Sequence, residues 1–142
     1  MRRVDRPTLS QVLAGLDLPG PITPLLGRVE PPKDLGPVVV GDPPLIVLGE
    51  TAEHITVAQA RIRWIDVGAT TVTVYKPRSL AWPPDVSPEG LGPVRHEVAR
   101  AIHLRKKGFQ RCRWCGKRLP REWMDFSDCC MGCAERYEGV VH

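Results

Sequence analysis

The sequence predicts an α+β protein: a small antiparallel sheet domain with Pro-rich connectors, a basic helix and a C-terminal finger built on four cysteines. Three observations carry this expectation. β-Branched and aromatic residues gather in short runs between residues 38 and 76, the composition of strands. Fifteen prolines and 13 glycines punctuate the rest of the chain, which implies many turns and short elements. All five cysteines lie between Cys112 and Cys133, directly after a basic stretch of helical pattern. The organisation expected is a short helix and Pro-rich arm over 1–36, a β-rich core over 37–78, a Pro-rich linker over 79–93, and a basic helix plus finger over 94–142.

Residues 1 to 7 form a basic end. Thr8 followed by Gln11 has the capping-box pattern, in which the hydroxyl accepts from the later backbone N–H and the amide reaches back. A helix over 9–15 would place Leu9, Val12, Leu13 and Leu16 on one side, with Gly15 weakening its end. Residues 17 to 37 hold six prolines and read as an extended connector, packed through Ile22, Leu25 and Leu26.

The core begins at Val38-Val39-Val40. A turn at Gly41-Asp42-Pro43-Pro44 separates it from Leu45-Ile46-Val47-Leu48. Arg61-Ile62-Arg63-Trp64 alternates polar and apolar, and 70–75 is β-branched and aromatic, so both read as strands. A turn over 66–69, centred on Gly68, would join them and give a sheet of about four strands. A second reading stays open for 56–75. ITVAQARIRW followed by DVGATTVTVY is similar to the second and third helices of helix-turn-helix proteins, which would bring Thr70, Thr71 and Thr73 to DNA. Within 77–93, Trp82 is the single large anchor, and it reads as a pin holding the linker to the sheet.

Pro93 suits the first turn of a helix and Gly108 its end. Between them Val94, Val98, Ala101 and Ile102 form a buried stripe, which Leu104 extends only in part. The other faces are basic. Residues 95–121 contain ten of the 20 Lys and Arg and one acidic residue, Glu97. That segment is near +9 and the remainder near −5, a segregation hidden by the net charge of +4.

The cysteines form two C-x-x-C pairs, Cys112/Cys115 and Cys130/Cys133, 14 residues apart. A soft divalent ion with tetrahedral preference takes four thiolates from two such turns, and Gly116 suits the tight turn after the first pair. This predicts one structural Zn2+. Cys129 is the spare; it could replace Cys130 and give a C-x-x-x-C register with Cys133. An odd cysteine count and an N-terminus without a long apolar core argue against disulfides and for a cytoplasmic protein. No apolar run reaches the roughly 18 residues that span a bilayer.

The run CRWCGKRLP followed by CMGC resembles the four-cysteine fingers of the DksA/TraR family and related treble-clef and zinc-ribbon fingers, over residues 109–139. Cys112, Cys115, Gly116, Lys117, Leu119 and Pro120 match the opening, and Cys130 and Cys133 match the closing pair. The resemblance implies the metal site and the small-finger fold. It does not extend to that family's polymerase mechanism, because the long coiled coil with acidic tip residues is lacking.

Basic residues interleaved with aromatics suit nucleic acid: cations neutralise phosphates and aromatics stack on bases. The candidate contacts are Arg95, Arg100, Arg105, Lys106, Lys107, Arg111, Arg113, Trp114, Lys117, Arg118 and Arg121. The competing reading packs Trp114 and Trp123 around the metal site as the finger's own core. The function expected is a regulatory, nucleic-acid-binding zinc-finger protein, with DNA and RNA both open. The alternative is an adaptor for an acidic protein partner, such as a polymerase subunit or a phage or host factor. Catalysis is not expected. The HEVAR segment lacks the second histidine of a zinc protease helix, no deaminase signature is present, and no phosphate loop occurs. An HNH-like nuclease would have to draw on His103, Asp125 or Asp128, without its motif.

Overall fold

The computed structural model describes residues 6–25, 37–66, 69–126, 128–137 and 139. The expected basic end before Arg6, Leu26 of the arm and Gly68 of the hairpin turn lie outside these. Helix α1 spans Leu9–Leu16. Strands β1 (Ile22–Pro24), β2 (Val38–Val40), β3 (Ile46–Glu50), β4 (His54–Asp66) and β5 (Ala69–Ala81) form one sheet in the order β1-β2-β3-β4-β5. Every neighbouring pair is antiparallel. Helix α2 spans Gly92–Lys107. The finger follows, with β6 (Gln110–Arg111), β7 (Arg118–Leu119), a 3₁₀ turn over Arg121–Trp123, β8 (Met124–Phe126), β9 (Cys129–Cys130) and helix α3 (Met131–Tyr137). No described helix is long and apolar enough to cross a membrane.

The capping box closes as its residues dictate. Gln11 N donates to Thr8 Oγ1 at 3.2 Å, and Thr8 N donates to Gln11 Oε1 at 2.9 Å. The helix runs one residue past Gly15, whose lack of a side chain serves contact: a Cβ there would lie 2.7 Å from Leu91 Cδ1. Thr8→Ala is expected to cost about 1 kcal/mol, measured as a lower urea midpoint with unchanged slope.

Leu9, Val12, Leu13 and Leu16 of α1 meet Val38, Val40, Ile46, Leu48, Ile55 and Val57 of the sheet and Val94, Val98 and Ala101 of α2 in one buried cluster. The opposite face buries Val39, Val47 and Ala60 under Leu25 and Val72. This two-sided burial explains why β2 and β3 read as unbroken apolar runs. Trp82 packs against the main cluster and its Nε1 donates to Thr51 O at 3.2 Å, pinning the segment that leaves the sheet.

The sheet differs from expectation in two ways. It has five strands, because Ile22–Pro24 of the arm pairs with β2. β5 runs through Pro77 to Ala81, into the expected linker. Both prolines sit on edge strands, where a missing N–H breaks no ladder and blunts the edge against further pairing. Residues 56–66 and 69–75 pair as β4 and β5, the strand reading of this stretch and not the helix-turn-helix alternative; the β-branched run over 70–74 pairs across to β4, as its propensity favours.

In α2 the stripe is Val94, Val98 and Ala101, with Ile102 half-buried. Glu97 and Arg105 are buried on the same side.

Candidate metal centre and its basic surroundings

The first cysteine pair sits in a tight turn between β6 and β7. Cys112 N donates to Lys117 O and Gly116 N donates to Cys112 O, both at 2.9 Å. Gly116 takes φ +73°, the left-handed geometry that glycine adopts without a Cβ clash. The second pair lies where β9 runs into α3, so Cys130 ends a strand and Cys133 sits in the first helical turn. Arg113 N donates to Asp128 O at 2.7 Å and ties the two halves together.

The sulfurs of Cys112, Cys115, Cys130 and Cys133 lie within 4.8 Å of one another. Cys115 Sγ and Cys130 Sγ are 4.0 Å apart. Four thiolates at about 2.3 Å around one tetrahedral ion would be about 3.8 Å apart, so the arrangement fits a metal ion. The five cysteines form no disulfide. Cys129 is outside the cluster: its buried Sγ lies 3.6 Å from Cys130 O. The Cys130 register is the one brought together.

Burial acts to raise the Cys112 thiol, but the amides of Cys115, Cys130 and Trp114 outweigh it and hold the thiol at about 6. Cys130 N lies 3.4 Å from that sulfur. Burial first, and then the neighbouring sulfurs, push Cys133 up to about 12. The backbone amides therefore favour the Cys112 thiolate by themselves, whereas the Cys133 thiol loses its proton readily only beside a bound cation.

The finger's buried centre is Cys112, Cys129, Cys130, Cys133 and Ala134, with Leu119 and Met124 against it. Trp114 is not in that centre. It is 49% exposed and stacks on Tyr137, with ring centroids 4.7 Å apart and planes at 22°. The Arg113 guanidinium lies 5.7 Å from the Trp114 ring and that of Arg136 lies 5.9 Å from Tyr137. Trp123 is half-buried.

Ten of the eleven candidate contact residues are exposed: Arg95, Arg100, Lys106, Lys107, Arg111, Arg113, Trp114, Lys117, Arg118 and Arg121. Several are also braced. Arg95 donates to Gly15 O and Leu16 O at the end of α1, Arg111 to Gly116 O, and Arg118 to Phe109 O.

Arg105 is the correction. Its side chain is buried, donating through Nε to Pro44 O at 3.2 Å and through Nη1 to Glu122 Oε1 at 3.0 Å. Burial draws its pKa below the ordinary guanidinium value, opposed by the Glu122 charge. Position 105 is in phase with Val94, Val98 and Ala101, and that periodicity was the signal for burial; its charge concealed it. Glu122 is the residue missed at this junction. Besides Arg105, its Oε1 lies 3.4 Å from Ile62 N, and its backbone O accepts from Trp64 Nε1 at 2.9 Å. One residue thus fastens the finger to α2 and to β4.

No protein-family model, curated protein or solved structure matches this chain.

Proposed function

We propose that this is a nucleic-acid-binding protein whose basic helix and zinc finger form one contact surface. The observation that carries the reading is the exposed Trp114–Tyr137 stack between Arg113 and Arg136. Leaving two rings in water forgoes burial they could have had in so small a finger, while stacked rings beside cations suit bases and phosphates. The exposed cations of α2 and the finger supply the sequence-independent attraction.

The order of a cysteine turn, a hairpin and a helix carrying the last cysteine supports a treble-clef type of zinc finger. Cys112, Cys115, Cys130 and Cys133 would hold the ion. An all-thiolate set leaves no position for a reacting water, so zinc here would organise structure and not catalysis.

The test is equilibrium binding to labelled single-stranded DNA, RNA and duplex DNA. Base stacking on an aromatic ring is worth about 1–3 kcal/mol, so Trp114→Ala should weaken binding by roughly 5- to 150-fold with metal content unchanged. Equal affinity of the variant and the unmodified protein for all three ligands, or a complex captured after nuclease treatment with no nucleic-acid binding, would refute the reading.

A further inference from the structure

A groove of about 840 Å³ lies between the β4–β5 hairpin and α2. Arg61, Lys76 and Arg78 line it from the hairpin, and Arg100 and Lys107 line it from the helix. Among the described residues its one carboxylate is Glu97, which is buried and shared by Arg78 Nε at 3.3 Å and Arg100 Nη1 at 3.1 Å. Glu97 therefore bridges the two walls while neutralising one of two guanidiniums. Arg61, Lys76 and Lys107 have no carboxylate partner among the described residues.

Lys76 supplies an independent observation. Val57 pairs with Arg78 and Gln59 with Tyr75, so Ala58 faces two residues, Lys76 and Pro77. This is a β-bulge, and its first residue stands at φ +51°. Glycine is the usual occupant of that left-handed position in such a bulge. A lysine there is strained, and strained backbone gathers at functional positions. The Lys76 ammonium lies 5.3 Å from the Tyr75 ring and the Arg61 guanidinium lies 3.7 Å from it. One ring thus positions two cations at the groove.

The groove also leads toward the finger. Gln59, Arg61 and Leu104 line both it and a second hollow that reaches Arg121 and Glu122. We propose that the groove is a channel for the sugar–phosphate backbone of single-stranded nucleic acid, with Lys76 placed at the bulge to meet a phosphate. The inference rests on the nucleic-acid reading above and adds a second contact region, on the hairpin. Charge complementarity selects a polyanion, and the concave shape selects a single strand, since a duplex would rest on the rims of a groove this small.

The experiment titrates the zinc-loaded full chain with a labelled 12-nucleotide oligothymidylate and with a 12-base-pair duplex, over a range of salt. It compares the unmodified protein with Lys76→Gly, Lys107→Gln and Trp114→Ala. Each lost phosphate contact on a single strand lowers the slope of log K against log salt by about 0.7. Lys76→Gly and Lys107→Gln should each show that loss and bind about tenfold more weakly at low salt. Lys76→Gly should keep or raise Tm, because glycine relieves the left-handed strain; a residue of structural value alone would show no binding defect. Unchanged affinity and slope in Lys76→Gly, whatever Lys107→Gln shows, with Trp114→Ala still defective, overturns the channel and leaves the reading of the helix and finger standing. Equal weakening of duplex binding by the groove variants overturns the single-strand assignment. Absence of binding by the unmodified protein overturns both.

Discussion

Removing the metal with a chelator, or replacing Cys133 with serine, is expected to unfold residues 110–137 and leave the five-stranded sheet with α1 and α2 folded. The finger's buried centre is four cysteines and one alanine, too little apolar area to offset the conformational entropy of ordering the segment. Metal binding would supply the difference, and structural zinc in isolated fingers contributes about 10–16 kcal/mol. The sheet, in contrast, has its own core, with Leu9, Ile46, Leu48, Ile55 and Leu91 almost fully buried. Amide hydrogen exchange on zinc-loaded and chelated protein would locate the change. Protection lost only over the finger is the predicted outcome; retained protection there would show that the cysteines need no ion.

Glu122→Ala is the second large effect. It removes the carboxylate that faces Arg105, whose side chain is only 6% exposed against 19% for Glu122. Breaking a buried pair from one side leaves an uncompensated charge and costs about 3–5 kcal/mol. The same substitution removes the acceptor nearest Ile62 N, loosening the finger from β4. Denaturation with urea should show the loss. Adding Arg105→Met should recover much of it, because an apolar replacement of a buried pair is near neutral in cost. A loss below about 1 kcal/mol for Glu122→Ala would mean that Arg105 is solvated, with the energetics of a surface pair.

These two sites also mark what the sequence could and could not reveal. The paired cysteines and Gly116 were legible, because metal chemistry fixes residue type, spacing and the glycine turn together. So were the Thr8–Gln11 capping box, the turn at 41–44 and the apolar stripe of α2, since each depends on neighbours within one or two turns of chain. Arg105 was not legible as a core residue, because its charge outweighed its phase. The partner that makes its burial tolerable, Glu122, is 17 residues away. The strand at Ile22–Pro24 and the continuation of β5 through Pro77 were hidden by prolines, which are permitted only because both strands lie on sheet edges. The Lys76 bulge depends on the register between β4 and β5, and no local pattern specifies that. Trp114 and Tyr137 are 23 positions apart, and their stacking follows from how the cysteines draw the two halves of the finger together.

The most direct test of the central claim is the salt dependence of single-strand binding by the metal-loaded protein. Neutralising the four phosphates that the groove's unneutralised cations can meet predicts log K falling linearly with log salt with a slope of about −2.8 or steeper, with binding strongly reduced after the metal is chelated. Binding that ignores salt, or that is the same with and without the metal, would contradict a nucleic-acid surface held in place by the four cysteines.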